Sequence, residues 1–421
     1  MLRLFYSAGM RYGEEAVMDM EKAAEMLTNA VKGFHGRFKI MYGQICVRVD
    51  KKVYLSTGGN KILARIRPDE YEVCDMNADG MGELFRKLPG ANVIIFGISP
   101  DAVSVSKEKD LIPVTLEDLA RLTGSGLRVA ADASPASILA ALSDSDVCLI
   151  KGAGAIAACS NDNKAVAAIQ IVEKACEAEV HGKLLGGTVP IPAEAAERYR
   201  KNFIQDYTMR NEEPHVDFIG FNEEEFAARS MLVDFGQNIV RKDLSYGSWG
   251  NLSVRLNDQE MLITPSSMDY FEIRVEDIVK VNYHTLEYGS QRMPSSEVRT
   301  HALAYRELPD CGAMIQTRSN AISVFAACEA GFRLGGGELQ DLIGDVRATS
   351  YAPPGTPELA MAVVSTLKKT HACIIPHHGS VFYGPSLEVV FAIAEAVELK
   401  ARNLLNFDTS PQTEDEENEQ K

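Results

Sequence analysis

The chain has no CxxC pair among its eight cysteines, no cluster of Lys and Arg, and no continuous run of about 18 apolar residues. Without paired cysteines a zinc ribbon is excluded, and 421 residues can fold without covalent cross-links, so the thiols are predicted to be reduced. The missing apolar runs exclude a membrane-spanning helix and a secretory signal peptide. These absences predict a cytoplasmic protein with no membrane partner.

The net charge of −16 disfavours a nucleic-acid partner, because phosphate backbones are bound by clustered basic residues. Part of this charge lies at the end of the chain, where residues 407–421 are predicted to form an acidic, disordered tail. A docking peptide is the alternative for this tail. The remaining composition, 46% hydrophobic and 24% charged, is typical of globular protein and sufficient for two domains.

An internal repeat organises the chain. The segment YGQICVRVDKKVYLSTGGN (42–60) matches WGNLSVRLNDQEMLITPSS (249–267), and two later pairs follow in the same order, LPGANVIIFGISPDA with LPDCGAMIQTRSNAI and DVCLIKGAGAIAACS with HACIIPHHGSVFYGP. We therefore predict one repeat at 1–180, a linker with one short helix at 181–222, and a second repeat at 223–406.

Each repeat contains the same order of predicted elements. CVRVDKKVYLS and LSVRLNDQEMLIT are typical of hairpins with polar tips, whereas ANVIIF, VCLI, GAMI and ACII are short apolar runs that suit fully covered strands. AVAAIQIVEKACEAE and EVVFAIAEAVELKARNLLNF have the apolar spacing of helices. A sheet covered by helices on both faces follows from these elements.

The second repeat resembles the class II aldolase and adducin family through five motifs in order, GNLSVR, LITPSS, MPSSEVRTHALAYRELPDC, YAPPGTPELA and IIPHHG. The first repeat is a more diverged copy. The resemblance implies an α/β fold of two tandem three-layer domains, each with a central, mostly antiparallel sheet and helices on both faces. Because the family forms fourfold oligomers with sites between subunits, a homo-oligomer is expected here, namely a dimer of tandem chains.

In that family three histidines bind zinc, and two of them are replaced here. Gln316 and Arg318 occupy the His-x-His positions, and Arg cannot coordinate a metal. His378 matches the third ligand and His377 replaces the family's Asn, so the resemblance implies either no metal or one zinc-like divalent metal on His378. A substitute cluster of His377, His378 and His301 is one alternative, and a hydrogen-bonded structural role for His301 is the other.

The motifs also imply a catalytic carboxylate and a phosphate site. Glu297, in PSSE, stands at the family's acid–base position, although a glutamate that only interacts with a helix N-terminus is the alternative. The phosphate-binding positions correspond to Asn251, Ser266, Ser267, Ser295 and Ser296, although serines also serve as caps and turns. Gln316, Arg318 and His377 would complete the site for a small anionic, phosphorylated metabolite, with the Arg318 guanidinium neutralising a carboxylate or phosphate.

The first repeat lacks the family's metal ligands. Phe96 and Ile98 stand at the His-x-His positions, Ala153 at the third ligand and Asn77 near the Glu position, which excludes the family's metal chemistry there. Its STGGNK segment suits an anion-binding turn, and Lys151 is interpreted as a solvated loop residue.

Three functions remain open from the sequence. The first is a sugar-phosphate aldolase or epimerase-type lyase with a degraded zinc site. The second is a non-catalytic pseudoenzyme that binds a phosphorylated or acidic metabolite or scaffolds an assembly. The third is a metal-free proton-transfer enzyme that uses Glu297.

Overall fold

The computed structural model describes residues 14–34, 41–209, 220–289 and 292–407, so the predicted acidic tail lies outside the described residues apart from Phe407. The chain divides into two compact units. Described residues up to Val180, together with Ile191–Lys201, form the first unit, whereas His181–Pro190 and the described residues from Asn202 onward form the second.

The first unit contains one sheet and six helices among its described residues. Its strands are β1 (Tyr42–Arg48), β2 (Val53–Ser56), β3 (Lys61–Ile62), β4 (Glu72–Asp75), β5 (Val93–Ile98), β6 (Leu111–Pro113), β7 (Gly126–Ala130), β8 (Val147–Ile150) and β9 (Gly154–Cys159). Its helices are α1 (Glu14–Lys32), α2 (Met81–Lys87), α3 (Pro100–Glu108), α4 (Glu117–Thr123), α5 (Pro135–Ala141) and α6 (Asp162–His181). The strand order is β4-β2-β1-β5-β9-β8-β7-β6, and β3 pairs with β1.

The second unit repeats this plan. Its described strands are β10 (Asn251–Arg255), β11 (Glu260–Ile263), β12 (Val279–Asn282), β13 (Ala313–Thr317), β14 (Arg347–Ala348), β15 (Ala372–Ile375) and β16 (Gly379–Gly384), in the order β12-β11-β10-β13-β16-β15-β14. After α7 (Ala193–Met209), its helices are α8 (Glu223–Arg241), α9 (Val298–Glu307), α10 (Asn320–Ala327), α11 (Glu338–Ile343), α12 (Pro357–Leu367) and α13 (Leu387–Leu404). Among the described strands of this sheet, β14 and β15 alone pair in parallel.

Alternation along the strands builds a core on each face of the second sheet. Met314 and Cys373 belong to a cluster that includes Tyr305 of α9 and Val363 of α12. The neighbouring Ile315 is fully buried too, and alternation directs it to the opposite face, where α13 packs on β13. The predicted class, tandem domains with mostly antiparallel sheets covered by helices on both faces, is confirmed.

The predicted hairpins and covered strands form where expected. CVRVDKKVYLS and LSVRLNDQEMLIT contribute to the antiparallel pairs β1–β2 and β10–β11. The segment 181–222 differs from the expected linker with one short helix. It contains a 3₁₀ helix at Gly182–Leu185 and the 17-residue α7. Ala196 and Tyr199 of α7 are buried, so this helix has a packed face that stabilises its greater length.

One arginine per repeat fixes the same corner of the fold. Nε of Arg48 donates to the carbonyl of Ala91 at 3.0 Å, and its Nη2 donates to Phe85 and Leu88. In the second unit, Nε of Arg255 donates to the carbonyl of Cys311 at 2.9 Å, and its Nη2 donates to Tyr305. The internal repeat therefore preserves a hydrogen-bonded joint between strand and helix as well as a sequence pattern.

All eight cysteines are free thiols, as predicted. Within the described ranges, no helix is long and apolar enough to cross a lipid bilayer.

Candidate functional site

The second unit brings the five sequence motifs together around the ends of β10 and β13. Asn251 of GNLSVR lies opposite Gln316 in the antiparallel register. The LITPSS and MPSSE segments run side by side, with the amide of Ser266 2.9 Å from the carbonyl of Met293 and the amide of Ser295 3.1 Å from that of Thr264. A Cβ on Gly355, in YAPPGTPELA, would lie only 3.0 Å from the Ser296 carbonyl.

The IIPHHG motif approaches the end of β13 closely because it contains Gly379. Gly379 has φ +150, and a Cβ there would lie 2.2 Å from the carbonyl oxygen of Thr317. This close approach sets His378, which precedes the glycine, beside Arg318, which follows the threonine.

A chain of buried hydrogen bonds runs from α9 to Gln316. Within the described residues, the Tyr305 phenol has one hydrogen-bond partner, the Ser253 hydroxyl at 2.7 Å. The same hydroxyl lies 2.6 Å from Nδ1 of His301, whose Nε2 lies 2.5 Å from Oδ1 of Asn251. The Asn251 amide then donates to Oε1 of Gln316 at 3.1 Å. Four side chains thus fix the orientation of the Gln316 amide.

The direction of this chain follows from protonation states. Burial raises the pKa of Tyr305 well above its ordinary value, so the phenol keeps its proton and donates. Burial also lowers the pKa of His301 to about 3, so the imidazole is neutral and has one donor and one acceptor nitrogen. Donation therefore passes from Tyr305 to Ser253, to His301, to Asn251 and on to Oε1 of Gln316. The other end of the Gln316 amide, Nε2, is buried and has no hydrogen-bond partner among the described residues.

His301 is therefore the hydrogen-bonded structural histidine that one interpretation of the sequence favoured. Ser253 and Tyr305 were missed by sequence reasoning. A usable signal existed, because Asn251 and Ser253 are two residues apart on a strand and share one face, and polar side chains are unusual on a buried strand.

Arg318 lies beside His378 and Trp249. Its Nη2 lies 3.0 Å from Nε2 and 3.3 Å from Nδ1 of His378, and its guanidinium carbon lies 5.1 Å from the Trp249 ring centroid. Both Arg318 and His378 are about 95% buried. The guanidinium nitrogen is nearly equidistant from both ring nitrogens, so it faces the imidazole ring.

His377 is directed towards different neighbours. It has the left-handed φ of +63, its Nε2 lies 3.1 Å from Oε1 of Glu329, and its ring meets Tyr351 edge-on at 5.2 Å. With His301 bound to Asn251 and His378 bound to Arg318, the three histidines have separate partners. The substitute histidine cluster considered from the sequence is not formed by these side chains.

Glu297 begins α9 and is 2% exposed. Its Oε2 accepts from the Thr300 hydroxyl at 3.3 Å, whereas Oε1 is buried without a hydrogen-bond partner within the described part of the chain. One helical turn separates Glu297 from His301, whose amide lies 3.3 Å from the Glu297 carbonyl. A buried carboxylate oxygen without a donor is suited to accept from a bound molecule.

The predicted phosphate-binding serines lie on two neighbouring backbone segments. Ser267 and Ser296 are exposed and Ser266 is half-buried, whereas Ser295 is buried and its hydroxyl accepts from the amide of Glu297 at 3.3 Å. Ser267 has φ +61, a conformation that glycine adopts easily. The backbone at Ser267 therefore has the left-handed conformation that favours glycine.

The donor set at the family's metal position does not fit a metal ion. Arg318 has no lone pair, Oε1 of Gln316 already accepts from Asn251, and the Arg318 guanidinium faces the His378 ring. A cation at this position would meet the N–H groups of Arg318 and Gln316, where it would need electron-pair donors.

The first unit contains a different group. Ligand oxygens of Asp101, Glu173 and Glu177 lie within 4.8 Å of one another, and all three residues are buried, so these carboxylates could hold a divalent cation. The sequence interpretation missed this group, although Glu173 and Glu177 are four residues apart and so share a helix face. Lys151, interpreted as solvated, pairs with Asp110 at 2.7 Å on the surface.

Comparison with known proteins places this site in a family. The class II aldolase and adducin N-terminal domain family matches residues 28–180 and 230–405. The 5-methylthioribulose-1-phosphate/5-deoxyribulose-1-phosphate aldolase of Rhodospirillum rubrum is 33% identical over 179 residues, covering 41% of this chain and 77% of that protein.

Two further relatives cover similar shares. The L-fuculose phosphate aldolase of Escherichia coli K12 is 30% identical over 197 residues, 44% of this chain and 88% of that protein. The 3-oxo-tetronate 4-phosphate decarboxylase of Pectobacterium atrosepticum is 28% identical over 186 residues, 42% of this chain and 82% of that protein. With family matches over both repeats, the chain belongs to the class II aldolase and adducin family.

Proposed function

We propose that the second repeat binds a phosphorylated ketone or aldehyde and that Glu297 exchanges a proton at the carbon beside its carbonyl group. This proton transfer is common to the aldolase and epimerase reactions that the family resemblance implies. The observation that carries the proposal is the buried Glu297 carboxylate, one oxygen of which has no hydrogen-bond partner among the described residues.

The proposed step balances without a further reactant. A C–H bond beside the carbonyl breaks, its electron pair moves to form an enediolate with negative charge on the carbonyl oxygen, and the proton goes to Glu297. The Nε2 amide of Gln316 supplies a preorganised donor for that oxygen. Return of a proton from Glu297 to carbon completes the exchange.

A phosphate ester is the preferred ligand for two reasons. All three relatives are named for their action on phosphate compounds. In addition, hydroxyl and amide groups of the 264–267 and 293–296 segments lie close together near the start of α9. Such groups suit a phosphate dianion.

Hydrogen–deuterium exchange tests the proposal directly. The purified protein, treated with chelator, would be incubated in D₂O with dihydroxyacetone phosphate, ribulose 5-phosphate or 3-phosphohydroxypyruvate, and carbon-bound hydrogen would be followed by proton NMR. We expect exchange with at least one ketone, loss of exchange by about 100-fold or more in Glu297→Gln, and retention in Glu307→Gln. Glu307 is a suitable control because it lies on the same helix but pairs with Lys368 at the surface.

Exchange that persists in Glu297→Gln would refute the assigned role. A second candidate function, non-catalytic binding of an anionic metabolite, is favoured by the replacement of two family ligands with Gln316 and Arg318. Ligand binding without exchange in the wild-type protein would select that function instead.

A further inference from the structure

Two buried groups in the second unit present N–H donors at neighbouring positions of one strand end. Gln316 is 1% exposed and Arg318 is 5% exposed. They are two residues apart as β13 ends, so alternation directs both side chains to the same side of the sheet. In the family resemblance, the positions of Gln316 and Arg318 are those of two metal-binding histidines. The groups of Gln316 and Arg318 that face the site are N–H groups, which can only donate hydrogen bonds.

The donor character of Gln316 is fixed by the rest of the protein. An isolated glutamine could turn its carbonyl oxygen towards a ligand. Here Oε1 accepts from Asn251, whose own carbonyl accepts from His301, so the Tyr305–Ser253–His301–Asn251 chain locks the amide with Nε2 outward. If every hydrogen bond of this chain ran in the opposite direction, Ser253 would donate to Tyr305. The phenol proton would then have no acceptor, because Ser253 is the partner of Tyr305 among the described residues.

The positive charge of Arg318 is likewise permanent. Its Nη2 lies 3.0 Å from Nε2 of His378 and its guanidinium carbon lies 5.1 Å from the Trp249 ring centroid, and neither of these rings carries a negative charge. A site with a fixed monovalent cation and an amide donor, where the family has a divalent cation, binds a negatively charged group in preference to a neutral carbonyl oxygen.

From these observations we propose that the ligand carries a carboxylate in addition to its phosphate, so that the substrate class is a phosphorylated 2-oxo or 2-hydroxy acid. The inference rests on the proposed function for the phosphate and for Glu297. The carboxylate binds Arg318, and the adjacent oxo or hydroxyl oxygen accepts from Nε2 of Gln316. In a 2-hydroxy acid, the hydroxyl group donates to the Oε1 atom of Glu297 that has no other donor.

A matched pair of ketones separates the two proposals. 3-Phosphohydroxypyruvate and dihydroxyacetone phosphate share the phosphate and the ketone and differ in carrying a carboxylate or a hydroxymethyl group. Calorimetric titration of the chelator-treated full-length protein should give at least about tenfold tighter binding of the acid. Arg318→Met should abolish this difference, whereas Arg333→Met, at a side chain that is 85% exposed, should preserve it.

A second variant keeps the test valid if Arg318→Met fails to fold. Gln316→Glu is nearly isosteric and replaces a donor with an acceptor, so it should weaken binding of the acid by more than it weakens binding of the ketone. Equal affinity of the wild-type protein for both ketones, or an unchanged preference in both variants, would overturn the carboxylate inference and leave the proposed function intact. Failure of both ketones to bind would instead overturn the proposed phosphate site.

Discussion

Nη2 of Arg318 lies 3.0 Å from Nε2 and 3.3 Å from Nδ1 of His378, so a guanidinium group faces the imidazole ring. The site thus holds a cationic group that belongs to the chain. A covalently attached cation needs no loading and is insensitive to chelators.

Restoring the histidines should restore metal binding. In the double variant Gln316→His with Arg318→His, His378 loses its donor and three imidazoles become available, so we expect about one zinc per chain by elemental analysis. Arg318→Met alone removes the cation without adding a ligand and should gain no zinc relative to the wild-type protein. If wild-type protein purified without added metal carries one zinc per chain, and loses it in His378→Ala, the donor assignment of Arg318 is incorrect.

The buried His301 predicts an acid sensitivity of folding. Burial lowers its pKa from 6.5 to about 3 in the folded protein, so below about pH 6.5 the unfolded chain binds a proton that the folded chain does not. The free energy of unfolding should therefore fall as the pH decreases from 6.5 towards 3, by up to about 1.4 kcal/mol per pH unit from this residue.

Denaturant unfolding between pH 4.5 and 7 tests this expectation. The variant His301→Gln should show a shallower dependence than the wild-type protein, because glutamine does not titrate. His284→Gln, at an exposed position, is the matched control and should keep the wild-type slope. Identical slopes in all three proteins would show that another group governs the acid sensitivity.

The tandem arrangement also predicts an assembly. If each repeat takes the place of one subunit in a fourfold family assembly, two chains complete the ring. Light scattering in solution should then give twice the mass of one chain over a tenfold range of protein concentration. A mass equal to one chain would exclude this assembly.

The sequence predicted the architecture well because hydrophobic alternation, turn residues and the internal repeat act locally. The geometry of the site was harder to predict from the sequence. Asn251, Gln316 and Arg318 could be placed by motif, but the polarity of the Gln316 amide depends on Ser253 and Tyr305, which are distant from it along the chain. The position of Trp249 over Arg318 depends on backbone geometry that no spacing rule supplies.

Two adjacent side chains also point to different neighbours, which the motif alone does not reveal. His377 and His378 follow one another, yet the left-handed φ of His377 directs its ring to Glu329 while His378 meets Arg318. A motif records which residue types are present, whereas the backbone dihedral decides which of them face the same ligand.

The matching joints made by Arg48 and Arg255 separate the requirements of the fold from those of the site. Both copies have an arginine that ties strand to helix. At the positions of Gln316 and Arg318 in the second copy, the first copy has Phe96 and Ile98. The same backbone corner thus forms beside a polar or an apolar strand end, so side chains at that end can be exchanged to change what a pocket binds while the joint itself is kept.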